Sequence, residues 1–184
     1  MEKIYVKPED FLLDSFKLAK NIYDFGFRPD FLVGIWRGGT PPAIAIQEFF
    51  KYKGLKMNHF PIKTEFYKGI DETQEKVRVS GLGFLEKNLN SKSSLLIIDD
   101  VFDTGRSMEG ILIDLKNRLK NNYPKNLKIA TVYFKPSRNK TKLKPDFYVH
   151  ETNDWIIFPH ELDCLNEKEL EKNKKRVYDI INKK

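Results

Sequence analysis

Cysteine is nearly missing from this 184-residue chain. Cys164 stands alone, which excludes an internal disulfide framework and a zinc site built on cysteine thiolates. Histidine is scarce, with three in all; His59 and His150 have no partner residues at metal-ligand spacing, so both read as structural. No apolar run approaches the roughly 20 residues of a membrane span, and membrane is not expected as a partner. The opening residues, Met1 to Pro8, lack the continuous apolar stretch and small-residue cleavage site of a secretory leader, so a cytoplasmic protein is expected. There is no G-x-x-x-x-G-K-[ST] loop, no internal repeat and no low-complexity linker. What is present is 40% hydrophobic and 13% aromatic, a composition that argues against disorder. At this length it suits one domain with a substantial core. Net charge is +7 and is spread along the chain, although Lys135 to Lys144 carries Lys135, Arg138, Lys140, Lys142 and Lys144 without an acid. Such a balance fits anionic ligands or nucleic acid, but a charge run is usually a solvated face.

The most informative stretch is Ser94 to Met108. Leu95-Leu96-Ile97-Ile98 fits a strand buried on both faces, and Asp99-Asp100 closes it where such a strand would leave the sheet. Thr104-Gly105-Arg106-Ser107 then leads into the helical run Ile111, Leu112, Leu115, Leu119. In open α/β sheets, ligands bind beyond the carboxyl ends of the strands. A helix amino end with small hydroxyl residues and a glycine cradles phosphate, while the acids suit a cation or a sugar diol.

Earlier in the chain, Phe11 to Tyr23 repeats at three- and four-residue steps until Gly26, predicting an amphipathic leading helix. Phe31 to Ile35 reads as a strand, and Pro41-Pro42 opens a helix over Ala43 to Lys51. Between them, Arg37-Gly38-Gly39 puts a cation and two glycines at a strand-to-helix turn, which on its own is equally a tight connection. Lys56 to Ile62 is a further strand. Thr64 to Arg78 is long, polar and nearly aperiodic, the pattern of a functional or disordered loop. Leu127 to Phe134 is the next strand, ending in Lys135, and a lone lysine there is normally solvated. Trp155 to Phe158 reads equally as core or as a flat face for a base. Asn166 to Lys184 spaces Leu170, Val177, Ile180 and Ile181 as a terminal helix.

Leu95 to Ser107, with two acids, two spacers and Asp-Thr-Gly, resembles the phosphoribosyl pyrophosphate signature of type I phosphoribosyltransferases. A Walker B strand or a response-regulator pocket also sets acids after an apolar strand, but neither explains Asp103-Thr104-Gly105. Ala130 to Lys135, with Lys144 to Val149 beyond, is similar to the purine members. So is Trp-Ile-x-x-Pro-x-acid at Trp155 to Glu161, which resembles xanthine-guanine and hypoxanthine-using enzymes, although His160 stands where many relatives have a second tryptophan.

The resemblance implies a single-domain α/β fold with a mostly parallel central sheet flanked by helices, a mobile flap at about 64–78, a base-covering hood at about 151–165 and a terminal helix at about 166–182. It implies transfer of phosphoribose from phosphoribosyl pyrophosphate to N9 of a 6-oxopurine (hypoxanthine, guanine or xanthine), with Mg2+ as cofactor. By the same resemblance Arg37, Gly38 and Gly39 hold pyrophosphate, with a cis peptide at Trp36-Arg37. Asp99 and Asp100 take the ribose hydroxyls, directly or through the metal shell. Thr104, Gly105, Arg106 and Ser107 take the 5'-phosphate, and Asp103 moves the N7 proton. Lys135 donates to the exocyclic oxygen, Trp155 stacks on the purine and the backbone at Ile156 reads its edge. Glu161 is a further candidate at the metal. A homodimer or homotetramer is expected, and nucleic acid is not, although an RNA-binding regulator on this fold, or an enzyme for uracil or orotate, are the alternatives.

Overall fold

The computed structural model describes residues 3–67 and 76–182. In chain order these form β1 (Lys3–Tyr5), α1 (Pro8–Asp24), β2 (Phe31–Trp36), α2 (Thr40–Tyr52), β3 (Asn58–Tyr67), β4 (Lys76–Ser80), α3 (Gly83–Asn88), β5 (Ser94–Phe102), α4 (Arg106–Leu119), β6 (Asn126–Phe134), β7 (Phe147–Glu151), β8 (Trp155–Ile157), α5 (Glu167–Asn173) and α6 (Lys175–Asn182). Internal contacts divide the chain into two compact units, residues 12–153 and residues 1–11 with 154–184. Among the described residues no helix is long and apolar enough to cross a membrane.

The larger unit is built on a six-stranded sheet in the order β4-β3-β2-β5-β6-β7. All pairings are parallel except the antiparallel edge pair of β3 with β4. The two central strands are covered on both faces, which is why they read as unbroken apolar runs rather than alternating ones. Leu95, Leu96, Ile97 and Ile98 are all fully buried. One face carries Leu95 and Ile97 against Leu82 and Leu85, near and in α3, and Met108, Ile111, Leu115 and Leu119 of α4. α2 packs on β2 and β5, seated so tightly that a side chain at Gly34 would meet Ala43 Cβ at 2.9 Å.

Two readings of the sequence change here. β5 continues past its acids, with Val101 and Phe102 still in register with Tyr133 and Phe134 of β6; Asp99 and Asp100 therefore lie in the sheet rather than just beyond it. Residues 64–67 and 76–78, taken as loop, are strand: Thr64, Glu65 and Phe66 pair with Val79, Arg78 and Val77. β4 is the edge strand, and residues 64–67 of β3 run past β2 to pair with it alone; ladder hydrogen bonds hold the polar positions, while Val77 and Val79 pack on the core. Positions 68–75 of the expected flap lie outside the described residues.

In the smaller unit β1 pairs in parallel with β8, Ile4 opposite Ile156. The terminal helix is two helices. α5 starts at a capping box in which Asn166 and Glu169 satisfy each other's backbone amides. It ends at Lys174, whose backbone (φ −133°) leaves helical geometry. The Lys174 ammonium instead donates to the carbonyls of Phe158 (2.6 Å), Pro159 (3.1 Å) and Glu161 (2.6 Å). Three carbonyls take up the three donors that a lysine offers, which offsets the cost of interrupting the helix.

Candidate active site

Parallel topology brings the carboxyl ends of β2, β5 and β6 to one edge of the sheet, where crevices form in such folds. At the end of β5, Asp100 is only 8% exposed, and its Oδ1 accepts the Val101 amide at 2.7 Å. Asp99 accepts the Asp100 amide at 3.0 Å. Burial, reinforced by the neighbouring charge of Asp100, pushes the Asp99 carboxyl well above the usual carboxylate range; the pair is poised for a ligand that supplies positive charge or hydroxyl donors.

The loop after β2 closes on these acids. The Trp36-Arg37 peptide is cis, as expected. Thr40 N–H donates to Arg37 O at 3.1 Å and Gly39 N–H to Ile35 O at 2.9 Å. A Cβ at Gly38 would lie 1.9 Å from Asp100 Oδ2, and one at Gly39 would lie 2.4 Å from Ile98 O and 2.9 Å from Asp99 Cα. Only glycine permits that approach. Arg37-Gly38-Gly39 and Asp99-Asp100, distant in sequence, are therefore one continuous surface.

Beyond β5 the chain turns through Asp103 and Thr104 to Gly105, which enters α4 at φ 76° with no side-chain cap among the described residues. The first-turn amides of a helix lack backbone partners within it, so Gly105 and Ser107 present donors at a positive helix end, while the Arg106 amide donates to the Thr104 side chain at 3.4 Å.

The third wall follows β6. Lys135 is 4% exposed, not solvated, and its amide donates to Phe102 O at 2.9 Å. Its Nζ stands 3.7 Å from Asp103 Oδ2. Arg138 Nε donates to Asp103 Oδ1 at 2.6 Å. The basic segment then wraps the acid turn: Lys140 N–H donates to Thr104 O at 3.0 Å, and a side chain at Gly105 would meet Thr141 Oγ1 at 2.6 Å and Asn139 Oδ1 at 2.9 Å. The sequence reading passed over Arg138, Asn139 and Thr141 as parts of a charged stretch; the available signal was the Lys-x-x-Arg spacing across the Pro136 turn.

In the smaller unit Trp155 is 44% exposed at the start of β8, while Ile156 is buried. The Glu161 carboxylate accepts the Phe158 amide at 2.9 Å and closes its own turn. His160 stacks on Phe158 with ring centroids 5.7 Å apart and planes within 7°.

Parallel topology thus gathers an acid pair, a glycine-lined loop carrying a cation and a helix amino end at one edge of the sheet. Comparison with known proteins gives the class. The phosphoribosyl transferase domain matches residues 5–167, across both units, and the chain belongs to that family, in its type I fold. A hypoxanthine-guanine phosphoribosyltransferase of Streptococcus pyogenes is 22% identical over 160 residues, 85% of this chain and 83% of that protein. A crystal structure of the purine phosphoribosyltransferase of Pyrococcus horikoshii Ot3 superposes with TM-score 0.70 at 30% identity, covering 90% of this chain and 99% of the other. The xanthine-guanine-hypoxanthine phosphoribosyltransferase of Helicobacter pylori does so with TM-score 0.67 at 23% identity, covering 95% and 99%.

Proposed function

We propose that this phosphoribosyltransferase acts in purine salvage, joining a 6-oxopurine through N9 to the phosphoribose of phosphoribosyl pyrophosphate. The observation that carries the reading is the pair Asp103 and Lys135, a carboxylate and an ammonium 3.7 Å apart at adjoining strand ends. A 6-oxopurine presents N7–H and the exocyclic oxygen side by side on one edge. That is the complement of an acceptor beside a donor; a 6-aminopurine offers a donor to the lysine instead.

Ribose hydroxyls fall to Asp99 and Asp100, pyrophosphate to Arg37, Gly38 and Gly39, and the 5'-phosphate to Thr104, Gly105, Arg106 and Ser107. Two hard carboxylate oxygens in a closed cradle fit Mg2+, which is held by one or two carboxylates together with substrate and water oxygens. When bound there, that ion would offset the negative charge that gathers on the leaving pyrophosphate. In the reaction the N9–C1' bond forms, the C1'–O bond to pyrophosphate breaks, and the N7 proton passes to Asp103. On this reading Arg37 would meet the anionic charge as it grows, a form of electrostatic stabilisation that works best when it is preorganised. Trp155 and the Ile156 backbone are assigned to the base on the family pattern, and a homodimer or homotetramer is part of the same proposal.

The test is nucleotide formation with Mg2+, phosphoribosyl pyrophosphate and hypoxanthine, guanine, xanthine, adenine, uracil or orotate in turn. A 6-oxopurine should exceed adenine by at least about 100-fold in kcat/KM, since a site built to hydrogen-bond one edge leaves its buried groups unpaired with the wrong one. Preference for adenine or a pyrimidine, or salt-dependent RNA binding without any nucleotide formed, would sink the proposal.

A further inference from the structure

Asp103 is held by two cations of different kinds, and the difference assigns them different work. Arg138 makes a charge-assisted hydrogen bond to Oδ1 at 2.6 Å, whereas the Lys135 ammonium, at 3.7 Å from Oδ2, is beyond hydrogen-bond range. Both stand on one short turn. Pro136–Arg138 forms a single 3-10 turn, closed by Arg138 N–H to Lys135 O at 3.2 Å and steadied by Ser137 N–H to the Asn153 side chain at 3.3 Å. Fixed φ at Pro136 removes one freedom from that turn, so the spacing from Lys135 to Arg138 sets both cations on the same carboxylate. Arg138 lies in the Lys135 to Lys144 run but has no part in the reaction as derived above.

We infer that Arg138 is the positioning residue for the proton acceptor: it clamps Oδ1 so that Oδ2 faces the incoming base, and it keeps Asp103 charge-compensated when Lys135 turns to the exocyclic oxygen. The inference rests on the reading of Asp103 as acceptor of the N7 proton. A planar guanidinium suits the role because its donor directions are set by its own geometry, whereas an ammonium is a rotatable point charge. With Arg138 removed, Lys135 is the remaining cation on this carboxylate among the contacts seen here. The same ammonium would then serve both the acid and the base, and Oδ2 would lose its direction.

The experiment compares Arg138→Met and Arg138→Lys with wild type by steady-state kinetics using hypoxanthine, with thermal unfolding in parallel. Arg138→Met should lower kcat by about 10- to 100-fold, the scale of a roughly 1 Å misplacement of a reacting group. KM for phosphoribosyl pyrophosphate should stay within about threefold, because the clamp acts on the chemical step rather than on the phosphates. Arg138→Lys, which restores charge without the planar donor, should recover part of kcat but fall short of wild type. A merely structural arginine would lower the melting temperature and leave kcat within about threefold, and that result overturns the inference while wild type remains active. A rise in KM with kcat preserved also overturns it, in favour of substrate binding. If wild type itself forms no nucleotide from any base, both this inference and the proposed function fall together.

Discussion

Substituting Gly38 by alanine tests whether the Arg37-Gly38-Gly39 loop and the acid pair are one surface. The new methyl would sit 1.9 Å from Asp100 Oδ2, 2.3 Å from Cγ and 2.6 Å from Oδ1, far inside the roughly 3.5 Å of an ordinary contact. Asp100 has little room to yield. It is a short side chain, 8% exposed, with Oδ1 engaged by the Val101 amide at 2.7 Å. The loop is held too, through Gly39 N–H to Ile35 O at 2.9 Å. Overpacking of this kind costs about 1–3 kcal/mol, which for a chain of this size lowers the melting temperature by roughly 2–4 °C per kcal/mol. The displaced carboxylate should also weaken catalysis by up to about 100-fold, with KM for phosphoribosyl pyrophosphate raised. Gly83→Ala is the matched control, since a Cβ there meets nothing within 4 Å. Differential scanning calorimetry and steady-state kinetics read the two arms. If Gly38→Ala melts within about 1 °C of wild type and its KM is unchanged, the close approach of loop and acids is wrong.

Three further outcomes follow from the same geometry. Asp103→Asn should lower kcat by about 10²- to 10⁴-fold while binding survives; a rate within a few-fold of wild type removes the proton-transfer role. Lys135→Ala should chiefly raise KM for the purine, and unchanged purine affinity in an equilibrium titration would refute its assignment to the base. Away from the site, Asp14 is 5% exposed and bonded to Lys17 at 2.8 Å and to His150 at 2.7 Å. Burial acts to raise its carboxyl, but the hydrogen bonds from Lys17 and His150 outweigh it and hold the group below its ordinary value. A depressed carboxyl stabilises the fold above its unfolded pKa, and that contribution fades as pH falls through the folded value. Urea unfolding of wild type and Asp14→Asn should therefore differ near neutrality and converge in acid. A gap that stays constant down to about pH 3, below the ordinary aspartate value, would show that ionisation of Asp14 is not its source.

Much of this site was legible before any coordinates because its parts are locally encoded. A strand buried on both faces must be apolar throughout, so Leu95 to Ile98 announces its place in a parallel sheet. Asp103-Thr104-Gly105 announces a turn into a helix because the positive φ at Gly105 suits glycine and few other residues. The edge pair was hidden for the converse reason. Residues 64–67 pair with β4 alone, past the last match of β3 to β2, and Val77 and Val79, though packed on the core, give too short an alternation to announce a strand. The broken terminal helix was hidden too, because its interruption at Lys174 depends on carbonyls of residues 158, 159 and 161, well upstream in the chain.

By itself, then, the sequence determined the mostly parallel kind of sheet and the residue types that stand at its central strand ends, since composition, turn residues and periodicity act over a few residues. Tertiary structure decided which of those ends meet. Gly38 proved to be the residue that makes room for Asp100, and Arg138 left the background of a basic run to become the partner of Asp103. Both facts are distances between segments far apart in the chain. They arise because parallel crossovers return β2, β5 and β6 to the same edge, where side chains chosen separately must share one small volume.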